Sequence, residues 1–168
     1  GVITGPEQLA APGIRSGIEA AARRLAEAGH RVADMLGDAL DWDALRKAAF
    51  LITEVEGARV HAALLDDPRS AISPGLRRAL EYGRHAGADR IDRCELELER
   101  ARAALSQLLS SFDLLLLPTT PQVAFAFGVP VPATQADFTA PANVAGLAAI
   151  SVPVGTLDGL PFGAQLVG

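Results

Sequence analysis

Cysteine is nearly absent from this 168-residue sequence, where Cys94 stands alone. A single thiol excludes a disulfide framework within the chain and fits a reducing, cytoplasmic setting. Long apolar runs are absent too. The longest fall far short of the about 18 residues that a membrane-spanning helix needs, so no span is expected. Basic residues are not in excess. The formal net charge is −5 and the pI about 5.1, which argues against nucleic acid or an anionic membrane as partner. There is no secretory leader pattern and no initiator Met. Disorder is excluded by composition, since 49% of residues are hydrophobic and 21% charged. The length fits one domain with a sizeable core.

Read in order, Val2, Ile3 and Thr4 form a strand remnant that Gly5-Pro6 breaks. From Pro12 the apolar positions Ile14, Ile18, Ala21, Leu25 and Ala28 keep helical spacing, and Gly29 suits the residue just past a helix end. A short strand is expected over 30–36, giving a low-resolution β–α–β unit. Asp41 caps the next helix, with Trp42, Leu45, Ala49, Ile52 and Val60 on its apolar face and Lys47 off it. That helix is expected to run to about Leu65. Ser73-Pro74 opens a short helix closed near Gly83. The longest helix is expected from about Ala88 to Ser111. Its seam is Ile91, Cys94, Leu98, Ala101, Leu105, Leu108 and Phe112, which points to a helix lying on its own domain rather than a coiled coil.

The last third is organised around three short apolar runs at 114–117, 148–154 and 162–167, bounded by Pro and Gly. Such runs predict strands buried on both faces, the third following a Gly-Leu-Pro turn. Between the first two, FTAPANVAGL holds small residues suited to a closely packed helix over 141–146, capped by Asp137 or Thr139. Strands with a helical connection and covering helices make an α/β layer.

The order DLLLLPTTP, then FTAPANVAGLAAISVPVG, then GLPFGAQLVG resembles the C-terminal part of the amidase-signature hydrolases. ISPGLRRALEYG and the Arg-rich helix before Phe112 fit the same family. The resemblance implies an α/β fold with a mixed β-sheet core covered by helices, here as an incomplete C-terminal portion, residues 1–168, of a single amidase-signature domain. It implies hydrolysis of a carboxamide by a Ser–Ser–Lys triad, whose nucleophile sits in a motif resembling GGSSGGS with the lysine upstream. The sequence contains no Gly-Gly-Ser run, and its one lysine is Lys47. No catalytic residue is therefore assigned here, and the chain alone is expected to be inactive. The implied partners are a small-molecule amide and the N-terminal half of the same fold. Both ends of the chain read as cut, and self-association or homo-oligomerisation is expected of the isolated chain. No metal and no organic cofactor is implied.

Candidate site residues follow partly from position and partly from that resemblance. Thr119 and Thr120 stand at a strand's C-terminal end, where open α/β sheets bind ligands. The competing reading is turn chemistry, with the hydroxyls satisfying local backbone. Phe138, Thr139 and Asn143 lie where the family's loop approaches the active site, which makes them candidates to touch the acyl part of a substrate. Phe125, with Phe127 beside it in an apolar loop, is a candidate pocket wall or else core. A self-contained nucleophile is not legible. There is no G-x-S-x-G elbow, and Ser151 sits in an apolar strand, where a buried hydroxyl bonded to backbone is expected. His30, His61 and His85 are scattered, and no His/Cys/Asp cluster has metal-ligand spacing. Two alternatives remain open. One is a non-catalytic binding or interaction module. The other is a nucleotide-binding α/β domain, for which the G-x-G-x-x-G fingerprint is lacking.

Overall fold

The computed structural model describes residues 2–4, 9–34 and 40–168. The Gly5-Pro6 break and the end of the strand expected over 30–36 lie outside them. Among these residues five strands form one mixed sheet. They are β1 (Val2–Thr4), β2 (Val32–Asp34), β3 (Leu114–Pro118), β4 (Ala149–Leu157) and β5 (Leu160–Val167). Their order is β2-β1-β3-β5-β4. β1 runs parallel to β2 and β3, whereas β5 runs antiparallel to both β3 and β4. The mixed sheet covered by helices matches the expected fold class.

Helix α1 (Pro12–Glu27) packs its buried Ile14 and Ile18 toward the sheet. Proline at its start costs nothing, because the first helical N–H has no partner in any case. Gly29 ends it at φ 91°. Contact with β5 is close. A Cβ on Gly17 would fall 2.4 Å from the Phe162 ring, and one on Gly155 2.7 Å from it, so that ring occupies a slot that side chains on either residue would close.

Helix α2 (Trp42–Val60) is capped as expected, the Asp41 carboxylate accepting from the Ala44 N–H at 2.9 Å. Its buried face is Trp42, Leu45, Ala48, Leu51, Val55 and Ala58. Val60 is off that face and 77% exposed, against the sequence reading. The helix stops at His61, and a separate turn, α3 (Ala62–Asp66), follows. Helix α4 (Pro74–Arg84) begins at the Ser73 cap. It crosses α2 at backbone distance, since a Cβ on Gly83 would lie 2.2 Å from the Glu54 carbonyl carbon. Ala58, Leu65 and Leu80 make a small second core between these helices.

Helix α5 (Ala88–Leu109) lies on the main core through Leu98, Ala101 and Leu105. Cys94 and Leu108 are partly buried along the same seam. The helix covers its own domain, as its spacing predicted. Short α6 (Ala140–Ala145) ends at Gly146 in the left-handed region.

Two strand expectations are corrected. The turn before the third run is Asp158-Gly159, with φ 53° and 79°, so β5 begins at Leu160 and carries Pro161 inside it. Both positive φ values are what a two-residue hairpin matching the strand twist requires. Second, β4 is not buried on both faces. Residues 149–153 are exposed, with Ile150 at 60%. The physical reason is position, for β4 pairs with β5 on one side and is the sheet's edge on the other. β3, in the middle, is buried as expected.

Candidate functional site

Two places gather the candidate residues. The first is a cavity of about 390 Å³ between α2, α5 and the segment entering α6. Phe50, Leu98 and Val144 give it apolar wall, and Arg46, Thr53, Glu56, Arg102, Thr139 and Asn143 add polar groups. It is large enough for a small organic ligand held by apolar contact and oriented by a few polar atoms. Thr139 and Asn143, chosen from sequence, both line it.

The wall is fixed by a buried ion pair. Arg46 Nε donates to Asp137 Oδ1 at 2.5 Å, and both side chains are almost fully buried. Burial pushes the Asp137 carboxyl above the ordinary carboxylate value, with the Arg46 guanidinium pulling against it. Arg46 also holds Asp43 at 2.5 Å, and Lys47 pairs with the other oxygen of Asp43 on the exposed side of α2. On the opposite wall, Arg102 Nε donates to the Val144 carbonyl at 2.8 Å, fastening α5 to α6. The cap expected of Thr139 or Asp137 is not made by either. The capping position, Thr139, has no side-chain cap bond, its hydroxyl donating back to Ala136 O at 3.3 Å, while Asp137 turns to Arg46.

The second place is the end of β3. The Thr119 hydroxyl is hydrogen-bonded to the Ser151 hydroxyl at 2.6 Å, across Gly163 of β5. Ser151 is exposed and bonded to a side chain, not buried and bonded to backbone as its apolar context suggested. Thr120 takes the local role, donating to Gln122 O at 2.8 Å.

The aromatic candidates separate. Phe138 is fully buried, edge-on to Trp42 with ring centroids 5.7 Å apart. Its ring belongs to the core of this chain. Phe125 and Phe127 are exposed, so the reading of them as core does not hold. Neither lines the cavity at α2.

Three residues that sequence reasoning did not assign to the site matter to its geometry: Arg46, Asp137 and Gln165. Gln165, on β5, is buried, and its Nε2 donates to the carbonyls of Pro118, at 3.3 Å, and of Phe138. A buried glutamine at an inward strand position was the available signal, because such a group must find partners. His61 and His85 sit at the ends of α2 and α4, and His85 Nδ1 lies 2.8 Å from Glu81 O. Among the described residues no group of three or more His, Cys, Asp or Glu could hold a metal, and no helix is long and apolar enough to cross a membrane.

The sequence profile of the family Amidase matches residues 1–168. Over 105 residues the chain is 35% identical to a glutamyl-tRNA(Gln) amidotransferase subunit of Dehalococcoides mccartyi, an alignment covering 56% of this chain and 22% of the relative. A crystal structure of an amidase superposes with a TM-score of 0.83 at 22% identity, covering 99% of this chain and 41% of that one. A solved chain of the vestigial complex tied to the origins of an s-triazine catabolic enzyme gives a TM-score of 0.81 at 26% identity, covering 99% of this chain and 38% of that one. The chain thus spans about two fifths of the length of these two solved chains.

Proposed function

This chain belongs to the Amidase family, and from that premise we propose that it is the C-terminal portion of a single amide-hydrolysing domain. The observation that carries the reading is the cavity bounded by Arg46, Thr139 and Asn143, which takes the acyl part of a small carboxamide. Thr119 and Thr120, at the end of the central strand, and the exposed Phe125 complete the substrate-facing surface together with the rest of the fold. Phe138 supports that surface from beneath.

The chemistry follows from the family. A serine oxygen attacks the amide carbonyl carbon, the C–N bond breaks, and the nitrogen leaves with a proton as ammonia or amine. Water then attacks the acyl ester, releasing carboxylate and restoring the serine. Dividing one hard step into two lowers each barrier, and fixed N–H donors stabilise the oxyanion. The Ser–Ser–Lys groups belong to the N-terminal half, since the sequence has no Gly-Gly-Ser run and Lys47 sits exposed on α2, paired with Asp43. That half is the proposed partner of this chain, the enzyme works in the cytoplasm, and no cofactor takes part.

A fluorophosphonate probe tests the assignment. In the full-length protein it should label one serine outside these residues, while the 168-residue chain should remain unlabelled. Stoichiometric labelling of Ser151, or of any serine here, overturns it. Lys47→Ala should leave full-length turnover within about threefold, as expected for an exposed pair of little net energy.

A further inference from the structure

Gln165 ties together two segments that carry the candidate site. Its side chain is buried on β5, at a position whose backbone pairs with Leu117 on one side and Ser151 on the other. The amide therefore projects from a strand held in register on both edges. Its Nε2 donates to the carbonyl of Pro118, immediately before Thr119 and Thr120, and to that of Phe138, immediately before Thr139. Both acceptors are backbone carbonyls, so the NH₂ end of the amide must face them, and both of its protons are used. Asp137 and Phe138 share one short segment, and Arg46 anchors it from the α2 side.

We infer that Gln165 is a positioning residue that sets the spacing between the Thr119–Thr120 turn and the Thr139–Asn143 wall of the cavity. Among the described residues, its side chain is the one that donates to both segments. A residue unable to donate would leave two carbonyls without their partner, and neither segment would then be fixed to β5 by a side chain. The consequence for turnover rests on the amide-hydrolase reading above. The clamp itself does not.

Two measurements on the full-length protein test this. In the unmodified protein, the side-chain amide protons of Gln165 should both be protected from solvent exchange by NMR. Exchange at the rate of a free glutamine overturns the clamp without any substitution. In Gln165→Met, which keeps length and loses both donors, backbone exchange should rise on the order of tenfold at 119–122 and 136–140. The β4–β5 hairpin should stay near its original rate, and the fluorescence of Trp42, beside Phe138, should shift. Equal acceleration everywhere would show a merely structural role, and no change in either segment would remove the proposal. Turnover of a p-nitroanilide panel adds the functional arm. KM should rise about tenfold with kcat within about threefold. An unmodified protein that hydrolyses none of these amides, yet shows the exchange pattern, defeats the hydrolase reading and keeps the clamp. A variant with loosened segments but unchanged KM keeps the clamp and removes its bearing on substrate.

Discussion

β3 and β4 both contain runs that read as apolar strands, and they have opposite surroundings. LLLLP at 114–118 is buried at four of five positions, with Leu115 and Leu117 at 0% exposure. AISVPVGTL at 149–157 is exposed over its first five residues. The difference lies in neighbours. β3 is paired on both sides, with β1 and β5, whereas β4 is paired on one side only, with β5, and meets α1 near its far end, at Leu157. Apolar sequence in a strand says that a face is to be covered. It does not say whether the cover comes from the same stretch of chain.

The comparison breaks most readily at β3. Leu117→Ala should cost about 2–5 kcal/mol by urea unfolding, since it removes buried methyl groups and leaves a cavity in close-packed surroundings. Ile150→Ala on β4, in the same 168-residue chain at a concentration low enough to keep it monomeric, should fall within about 0.5 kcal/mol, as an exposed position does. If the edge is covered in the full-length protein, the Ile150→Ala cost there should approach that of Leu117→Ala. Equal small costs in both proteins would mean that β4 stays open.

Association gives the next effect. A free edge with exposed Ile150 and Val152 is a template for pairing with another chain. Light scattering should find the isolated chain self-associated. Val152→Lys should shift it toward monomer, because a charge on an edge strand opposes pairing. A sharp monomer at high concentration without that substitution counts against the two-part reading of the fold.

The smallest effect separates the two strands by charge. The buried polar groups near the end of β3 include Asp137, whereas β4 carries no titratable side chain. Burial raises the Asp137 carboxyl above its ordinary value, so the folded state holds that proton more tightly than the unfolded one. Stability should therefore fall as pH rises from the ordinary carboxylate value through the raised one, and be flat above it. Asp137→Asn should remove this component of the stability–pH curve, and a curve that keeps its shape would show that Asp137 titrates normally.

Much of the fold could be read from residues alone because its signals were local. Asp41 and Ser73 announced their helices by capping chemistry, and the seam of α5 followed from spacing. Most departures from the sequence reading concern what lies alongside. Val60 keeps the apolar character of α2, but the helix is ending and nothing packs on it there. Ser151 sits among apolar neighbours yet faces outward at an edge, where the hydroxyl of Thr119, just past β3, is its partner. The Asp158-Gly159 pair is itself a local turn signal, and it, not the nearby Pro161, sets where β5 begins. At the candidate site, Thr139 and Asn143 line the cavity, and the groups that hold its wall were not legible in the sequence. Arg46 and Asp137 are far apart in sequence, and only the packed helices bring them to 2.5 Å.

The order β2-β1-β3-β5-β4 also sets how the chain reaches this structure. The β4–β5 hairpin closes through a two-residue turn and forms on a microsecond scale, about 1–10 μs for isolated hairpins. The central strand has no such shortcut. Val2 pairs with Leu114, and Leu115 with Val167, so β3 waits for partners drawn from opposite ends of the sequence. Contacts of that separation raise the contact order and slow folding. During synthesis β3 leaves the ribosome before β5 exists, with a run of four leucines unpaired on one side. The interval between making Leu117 and making Gln165 is when this protein is most exposed to aggregation, and when a chaperone has most to gain by holding it.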